Sequence, residues 1–228
     1  MSSRRADGGR LRLGVLVSGG GTNLQAILDA TADAGFPAEV AVVIANVASA
    51  FGLERARAAG VPAVALPHRD FPDRARFDAA LVAALRGAGV ELVVLAGFMR
   101  IVTTVLLDAF PDRVLNVHPS LLPAFPGVDA QGQAFAHGVK VTGCTVHLVD
   151  AGLDAGPIVV QAAVPVRAGD DVEQVRARIL RQEHRILPLA IRLMAEGRVA
   201  RVPGTRRLAV DVTGLAPAGD GETILSFG

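Results

Sequence analysis

The chain has 228 residues, 51% of them hydrophobic, and a formal net charge of +1. This length and composition fit one large α/β domain, or one with a small appendage, and supply ample apolar material for a core. The near-neutral charge gives no argument for a nucleic-acid or acidic-membrane partner, and the single cysteine, Cys144, excludes an intramolecular disulfide framework and gives no metal-site spacing.

Arg4, Arg5 and Arg10 precede the first apolar run, but no apolar stretch of signal-peptide or membrane-span length follows them. The expectation is a cytoplasmic protein whose residues 1–10 form a disordered tail. Apolar runs over 12–17, 40–45, 62–66, 92–95 and 113–116 read as strands. Between them, helical spacing appears over 23–34 (Leu24, Ile27, Leu28), 51–59, 73–88 and 103–109. Strands alternating with helices imply βαβ units, a parallel sheet and right-handed crossovers.

The second half changes character. Residues 142–149 and 157–166 read as neighbouring antiparallel strands, with Cys144 as a small core residue. Residues 171–196 form one long helix that Pro188 is expected to kink. Residues 203–228 are rich in Gly and Pro, which predicts a hairpin or a partly disordered tail. The expected fold class is α/β: a Rossmann-like, mostly parallel sheet flanked by helices and extended by antiparallel strands in the C-terminal half. Residues 11–202 form its domain, with a phosphate-binding half at 11–110 and a catalytic half at 111–202.

The first βα turn is Ser18-Gly19-Gly20-Gly21-Thr22-Asn23. Glycines permit positive φ and close backbone approach, and the helix that follows offers free N–H groups and its positive dipole end, so the turn suits a phosphate. It matches neither the dinucleotide fingerprint nor a P-loop, which needs a lysine. The plainer alternative is a tight turn with Thr22 or Asn23 as helix N-cap.

Near the middle stands Asn116-Val117-His118-Pro119-Ser120-Leu121-Leu122-Pro123. On an extended segment residues i and i+2 share a face, so Asn116 can hold an oxyanion through its NH₂ while His118 handles a proton. Downstream, Asp154 lies in a loop bracketed by Gly152 and Gly156. Folded back onto His118, its carboxylate would stabilise an imidazolium able to protonate a departing amine. Taken singly, Asn116 and Asp154 also read as turn formers and His118 as a satisfied buried histidine. His147 reads as a core residue or a hydrogen bonder beside the site, and His68 and His137 as solvated. His184 beside Glu183 fits a structural pairing as well as a ligand contact. Arg176, Arg178, Arg181 and Arg185 read mostly as a solvated helix face.

These segments, with Ala50-Phe-Gly-Leu-Glu-Arg-Ala56, Val94-Leu-Ala-Gly-Phe-Met-Arg-Ile101, Leu153-Asp154-Ala-Gly-Pro157 and Gln182-Glu183-His184, occur in one order. Over residues 12 to 200 the chain resembles the phosphoribosylglycinamide formyltransferases, folate-dependent enzymes of purine synthesis. The resemblance implies the formyltransferase fold and transfer of a formyl group from 10-formyltetrahydrofolate, a co-substrate, to the amine of 5-phosphoribosylglycinamide, with no metal.

It further implies that Gly21, Thr22 and Asn23 hold the substrate phosphate and Glu183 its ribose. Asn116, His118 and Asp154 match the catalytic trio. Met99, Arg100, Ile101 and Val102 match the folate-pocket wall, Asp150, Ala151, Gly152, Leu153 and Asp154 the loop over the pterin, and Arg74 a position facing the folate's glutamate tail. Ala155 departs from the glycine many relatives carry, and residues 127–133 lack histidines some have there. Expected partners are small molecules, with no nucleic acid or membrane, in a monomer or homodimer. Methionyl-tRNA formyltransferase and formyltetrahydrofolate deformylase share the Asn-x-His-Pro-Ser segment. Their additional domains, C-terminal and N-terminal respectively, set the expectation against them here. A non-catalytic nucleotide-binding module is a third class, opposed by the presence of Asn116, His118 and Asp154.

Overall fold

The computed structural model describes residues 9–214 and 224–225. They fall into two compact units that divide in sequence between Asn116 and Val117. The expected disordered tail at 1–10 lies outside the described residues except at its last two positions. The expected C-terminal tail is described only to residue 214 and at 224–225.

In the N-terminal unit the elements are β1 (Leu11–Val17), α1 (Thr22–Thr31), β2 (Ala38–Ala45), α2 (Gly52–Ala58), β3 (Ala63–Ala65), α3 (Arg74–Gly87), β4 (Leu92–Leu95), α4 (Thr104–Ala109) and β5 (Val114–His118). Strand order is β5-β4-β1-β2-β3, and every pairing among these strands is parallel. The central strands read as continuous apolar runs because helices cover both faces of such a sheet. Leu13, Val15, Leu16, Val17 and Leu92 to Val94 are accordingly fully buried. β1 has β2 on one side and β4 on the other, so strand order reverses there, and ligands of open α/β sheets bind outside the strand ends at such a reversal. The side chains of Asp73 and Thr103 cap α3 and α4.

In the C-terminal unit, α5 (Ala130–His137) precedes the antiparallel strands β6 (Val141–Leu148) and β7 (Ile158–Pro165). The two-residue β10 (Ile224–Leu225) adds antiparallel to β7. α6 (Val172–Ala195) packs on β6 and β7. A capping box of Asp171 and Gln174 starts α6, and a buried stripe of Val175, Ile179, Ile186, Leu187, Ala190 and Ile191 runs along it at helical spacing. The helix continues through Pro188 to Ala195. Beyond it β8 (Val199–Arg201) and β9 (Leu208–Val210) form an antiparallel hairpin. Cys144 is fully buried in β6, as its apolar surroundings require.

Three local readings are corrected. α5 was not anticipated in the stretch around 130–137. Arg178 is not on a solvated face: it is 5% exposed, and its guanidinium grips Asp170 at 2.7 and 2.9 Å while donating to the Pro165 carbonyl. His68 sits in a one-turn 3-10 helix (His68–Asp70), with Nδ1 2.9 Å from the Asn46 carbonyl and 3.2 Å from Asn46 Nδ2. Among the described residues no helix is long and apolar enough to cross a membrane.

Candidate active site

In the N-terminal unit the site is built from backbone. Gly21, at φ 70, is the N-cap of α1 and no side chain caps that helix. Neither Thr22 nor Asn23 fills the capping role, so the first N–H groups of α1 are not closed off by a side chain as the plainer alternative required. A Cβ on Gly21 would stand 2.9 Å from Gly52 Cα, which together with its left-handed φ explains that glycine internally. Gly19 and Gly20 have no such reason, since a Cβ on either meets nothing within 4 Å. Their bare backbone leaves room for something outside the chain to approach. Arg55 shapes the loop from below, donating from Nε to the Gly20 carbonyl at 2.8 Å and from Nη1 to Gln25 Oε1 at 3.0 Å.

The Gly-rich loop is tied to the segment after β4. Ser18 N–H donates to the Gly97 carbonyl at 3.1 Å, and Met99 N–H donates to Ser18 Oγ at 2.8 Å, while that hydroxyl donates to Asn46 Oδ1 at 2.6 Å. Met99 and Ile101 are 75% and 56% exposed. Arg100 stacks over Phe77 at 5.2 Å, and Phe77 stacks in turn on Phe98. Val102 is half-buried, and the next residue, Thr103, donates its N–H to Asp78 Oδ2 at 2.5 Å. Arg74 is the exposed first residue of α3, one turn before Phe77. Asn116 ends the β4–β5 ladder opposite Leu95 and is half-buried.

In the C-terminal unit the site is built from side chains. His118, the last residue of β5, is 4% exposed. Its Nδ1 lies 3.4 Å from Asp154 Oδ2, and its Nε2 donates to the Phe125 carbonyl at 2.9 Å. Both ring nitrogens therefore face acceptors, and only the imidazolium can donate to both. Asp154 Oδ2 also accepts from Gly127 N–H at 2.8 Å. Its Oδ1 lies 4.0 Å from Nε2 of His147, which is 2% exposed. Burial, the largest influence, pushes the His147 ring below its ordinary pKa of 6.5, while its bond to the Leu148 carbonyl and the nearby Asp154 charge oppose that shift. The Leu148 carbonyl, 3.0 Å from Nδ1, takes the proton of the neutral ring, so Nε2 carries no proton to give the carboxylate.

The turn after His118 is fixed from inside. Thr145 Oγ1 donates to the Ser120 carbonyl at 2.7 Å and accepts from Leu122 N–H at 3.0 Å and Gln161 Nε2 at 2.9 Å. The loop after β6 is less regular. Asp154 adopts φ 47, a left-handed conformation that is costly for a residue with a Cβ and is found where surroundings over-determine it. Asp150 Oδ1 accepts from Gly152 N–H at 2.9 Å, Ala151 and Gly152 are exposed, and Leu153 is 57% exposed. Glu183 is buried on α6 with 6% exposure, next to Gln182. Among the described residues no group of three His, Cys, Asp or Glu side chains is placed to hold a metal.

The structure thus joins His118, Asp154 and His147 in one unit, and the Gly-rich loop and the Met99 segment in the other. Sequence reasoning missed the Phe125 carbonyl and the Gly127 N–H. The only signal for them was the Pro126-Gly127 dipeptide, which marks a turn but not what its backbone contacts.

Residues 11–191 match the formyl transferase family model. The trifunctional purine biosynthetic protein adenosine-3 of Drosophila pseudoobscura pseudoobscura is 47% identical over 202 residues, 88% of this chain but 15% of that protein. This chain therefore spans about a seventh of the length of that trifunctional relative. Phosphoribosylglycinamide formyltransferase of Escherichia coli (strain K12) is 44% identical over 185 residues, covering 81% of this chain and 87% of that one. The crystal structure of glycinamide ribonucleotide transformylase 1 from Symbiobacterium toebii superposes with a TM-score of 0.85 at 59% identity, covering 88% and 94% of the two chains. The family model covers most of the chain, and the chain belongs to the formyl transferase family.

Proposed function

We infer that this protein transfers the formyl group of 10-formyltetrahydrofolate to the amine of 5-phosphoribosylglycinamide, giving formylglycinamide ribonucleotide and tetrahydrofolate in purine biosynthesis. The observation that carries the reading is the buried His118 held between the Asp154 carboxylate at 3.4 Å and the Phe125 carbonyl at 2.9 Å. Gly21, Thr22 and Asn23 hold the ribonucleotide phosphate through backbone N–H groups at the start of α1, and Glu183 binds its ribose. Met99 to Val102 are the folate-binding residues of the N-terminal unit, with Arg74 toward the glutamate tail, and Asp150 to Asp154 are those of the C-terminal unit.

The substrate amine attacks the formyl carbon, forming a C–N bond and placing negative charge on the formyl oxygen. Asn116, on the same face of β5 as His118, donates its NH₂ to that oxygen, and the imidazolium of His118 donates a second hydrogen bond. Donors of this kind, fixed before reaction and shielded from water, each lower the barrier by ~3–4 kcal/mol. The Nε2–H now held by the Phe125 carbonyl is the donor the charged intermediate takes over. Collapse breaks the bond between formyl carbon and folate nitrogen, and that nitrogen receives a proton from His118, directly or through water, while the attacking nitrogen gives up a proton to the vacated ring, which leaves the product amide and restores the imidazolium. Asp154 orients the ring through its Nδ1. The protein acts in the cytoplasm as a monomer or homodimer, on small molecules, without metal, nucleic acid or membrane.

Following the absorbance of tetrahydrofolate as it forms from 10-formyltetrahydrofolate tests this directly. Release that depends on glycinamide ribonucleotide is the expected result. Release with water alone, or only with a charged tRNA, overturns the choice of acceptor.

A further inference from the structure

We propose that Arg206, on the turn between β8 and β9, is a positioning residue that clamps the loop carrying Asp154. One nitrogen of its guanidinium, Nη2, donates to Asp150 Oδ2 at 3.2 Å and to the Ala155 carbonyl. Its two N–H bonds therefore join the first and sixth residues of the segment 150–155. The second oxygen of Asp150 is already engaged by Gly152 N–H. The loop is thus closed across its neck by one side chain from a distant part of the same unit.

Such a clamp answers a local need. The segment 149–157 has no helix or strand of its own, and Asp154 within it holds a left-handed φ. Conformations of that kind persist only where neighbours leave no alternative. At Gly156 the returning chain passes so close to its outgoing end that a Cβ would lie 1.7 Å from the Leu148 carbonyl oxygen. A small shift in this neck swings the Asp154 carboxylate relative to His118 Nδ1 and Gly127 N–H. Arg206 also lies beyond residue 191, where the match to the family model ends, so the hairpin supplies a support from outside the matched region.

The Arg206 side chain is 72% exposed, and exposed ion pairs add little to global stability. The expected consequence is local. It rests on the formyl-transfer reading for its kinetic part only. In Arg206→Met, backbone amides of residues 150–156 exchange with deuterium faster, kcat falls on the order of tenfold through loss of a charge-assisted bond, and the ribonucleotide KM and the melting temperature stay as in the unaltered protein. Arg206→Lys, which keeps the charge and a donor, recovers most of both effects. Unaltered exchange over 150–156 in Arg206→Met overturns the clamp. So does faster exchange spread over the whole C-terminal unit with a lowered melting temperature, the mark of a merely structural role. An unaltered protein that shows no formyl transfer sinks the function proposed above and leaves the exchange readout standing.

Discussion

The two units make their contributions from different materials. Residues 9–116 offer a backbone surface: a glycine loop whose helix is capped by no side chain, joined to the post-β4 segment through the Ser18 hydroxyl. Residues 117–214 offer side chains: an imidazole and a carboxylate aligned by loops at unusual backbone angles. Of the four non-glycine residues with positive φ among the described residues, Phe125, Asp129 and Asp154 belong to the second unit and only Asp112 to the first. A binding surface of N–H groups needs only a turn and a helix start, which the chain provides cheaply. A reacting pair needs angles that the ordinary backbone does not supply, and strain collects where it is made.

Removing the charge that pairs with the ring gives the largest expected effect. Asp154→Asn retains the shape but replaces an acceptor with a group able to turn a donor toward His118, and kcat falls by ~10²–10⁴. A kcat that is unaltered in the variant removes Asp154 from the scheme. Asn116→Ala comes next, because a fixed oxyanion donor is worth roughly 10²–10³ in kcat. A loss confined to KM would mean that Asn116 only binds substrate.

The backbone surface breaks differently. Gly20→Ala places a methyl group where nothing lies within 4 Å, so folding is untouched while anything that docks there is displaced. The expected result is a rise in ribonucleotide KM of about tenfold, as for loss of one hydrogen bond to a charged group, with kcat and melting temperature conserved. Gly21→Ala is the contrasting variant, since its φ of 70 and the 2.9 Å approach to Gly52 Cα cost stability as well. If Gly20→Ala leaves the ribonucleotide KM unmoved, the loop is a tight turn and not a phosphate site.

The same contrast decides what was legible in the sequence. β4 appears at the residues its apolar run marks, and the glycine loop lies where its spacing puts it. β5 runs two residues beyond the expected end, to His118, past Asn116 where its ladder with β4 stops. α5 was hidden: Gly132 interrupts its weak apolar pattern, and only Ala130 and Ala134 are buried. Its start depends on Asp129, left-handed at φ 51, whose side chain accepts from Gly132 N–H. A Cβ at 132 would lie 2.2 Å from the Asp129 carboxylate, so the glycine that obscures the helix is the one its cap requires. The residues that pin His118 and Asp154 were equally hidden, because the Phe125 carbonyl and Gly127 N–H act through backbone atoms that every residue possesses.

The smallest effect separates a structural ion pair of the second unit from its proposed reacting pair. Bonds from the Arg178 guanidinium, then from Arg167 N–H, lower the Asp170 carboxyl from 3.8 to about 2. A group with a folded value below its unfolded one favours the folded state fully above the unfolded value, and that contribution disappears as pH falls through the folded value. The window here runs from about pH 4 down to about pH 2. Asp170→Asn should therefore be less stable than the unaltered protein at neutral pH, and the gap should narrow across that window. Urea unfolding at a series of pH values reads the difference directly. Because Asp170 touches neither His118 nor the 150–155 loop in this structure, kcat at neutral pH should stay put below the unfolding midpoint. Parallel stability curves across the window would mean that the guanidinium holds Asp170 no more tightly than water does, and that Arg178 is buried for its bond to the Pro165 carbonyl.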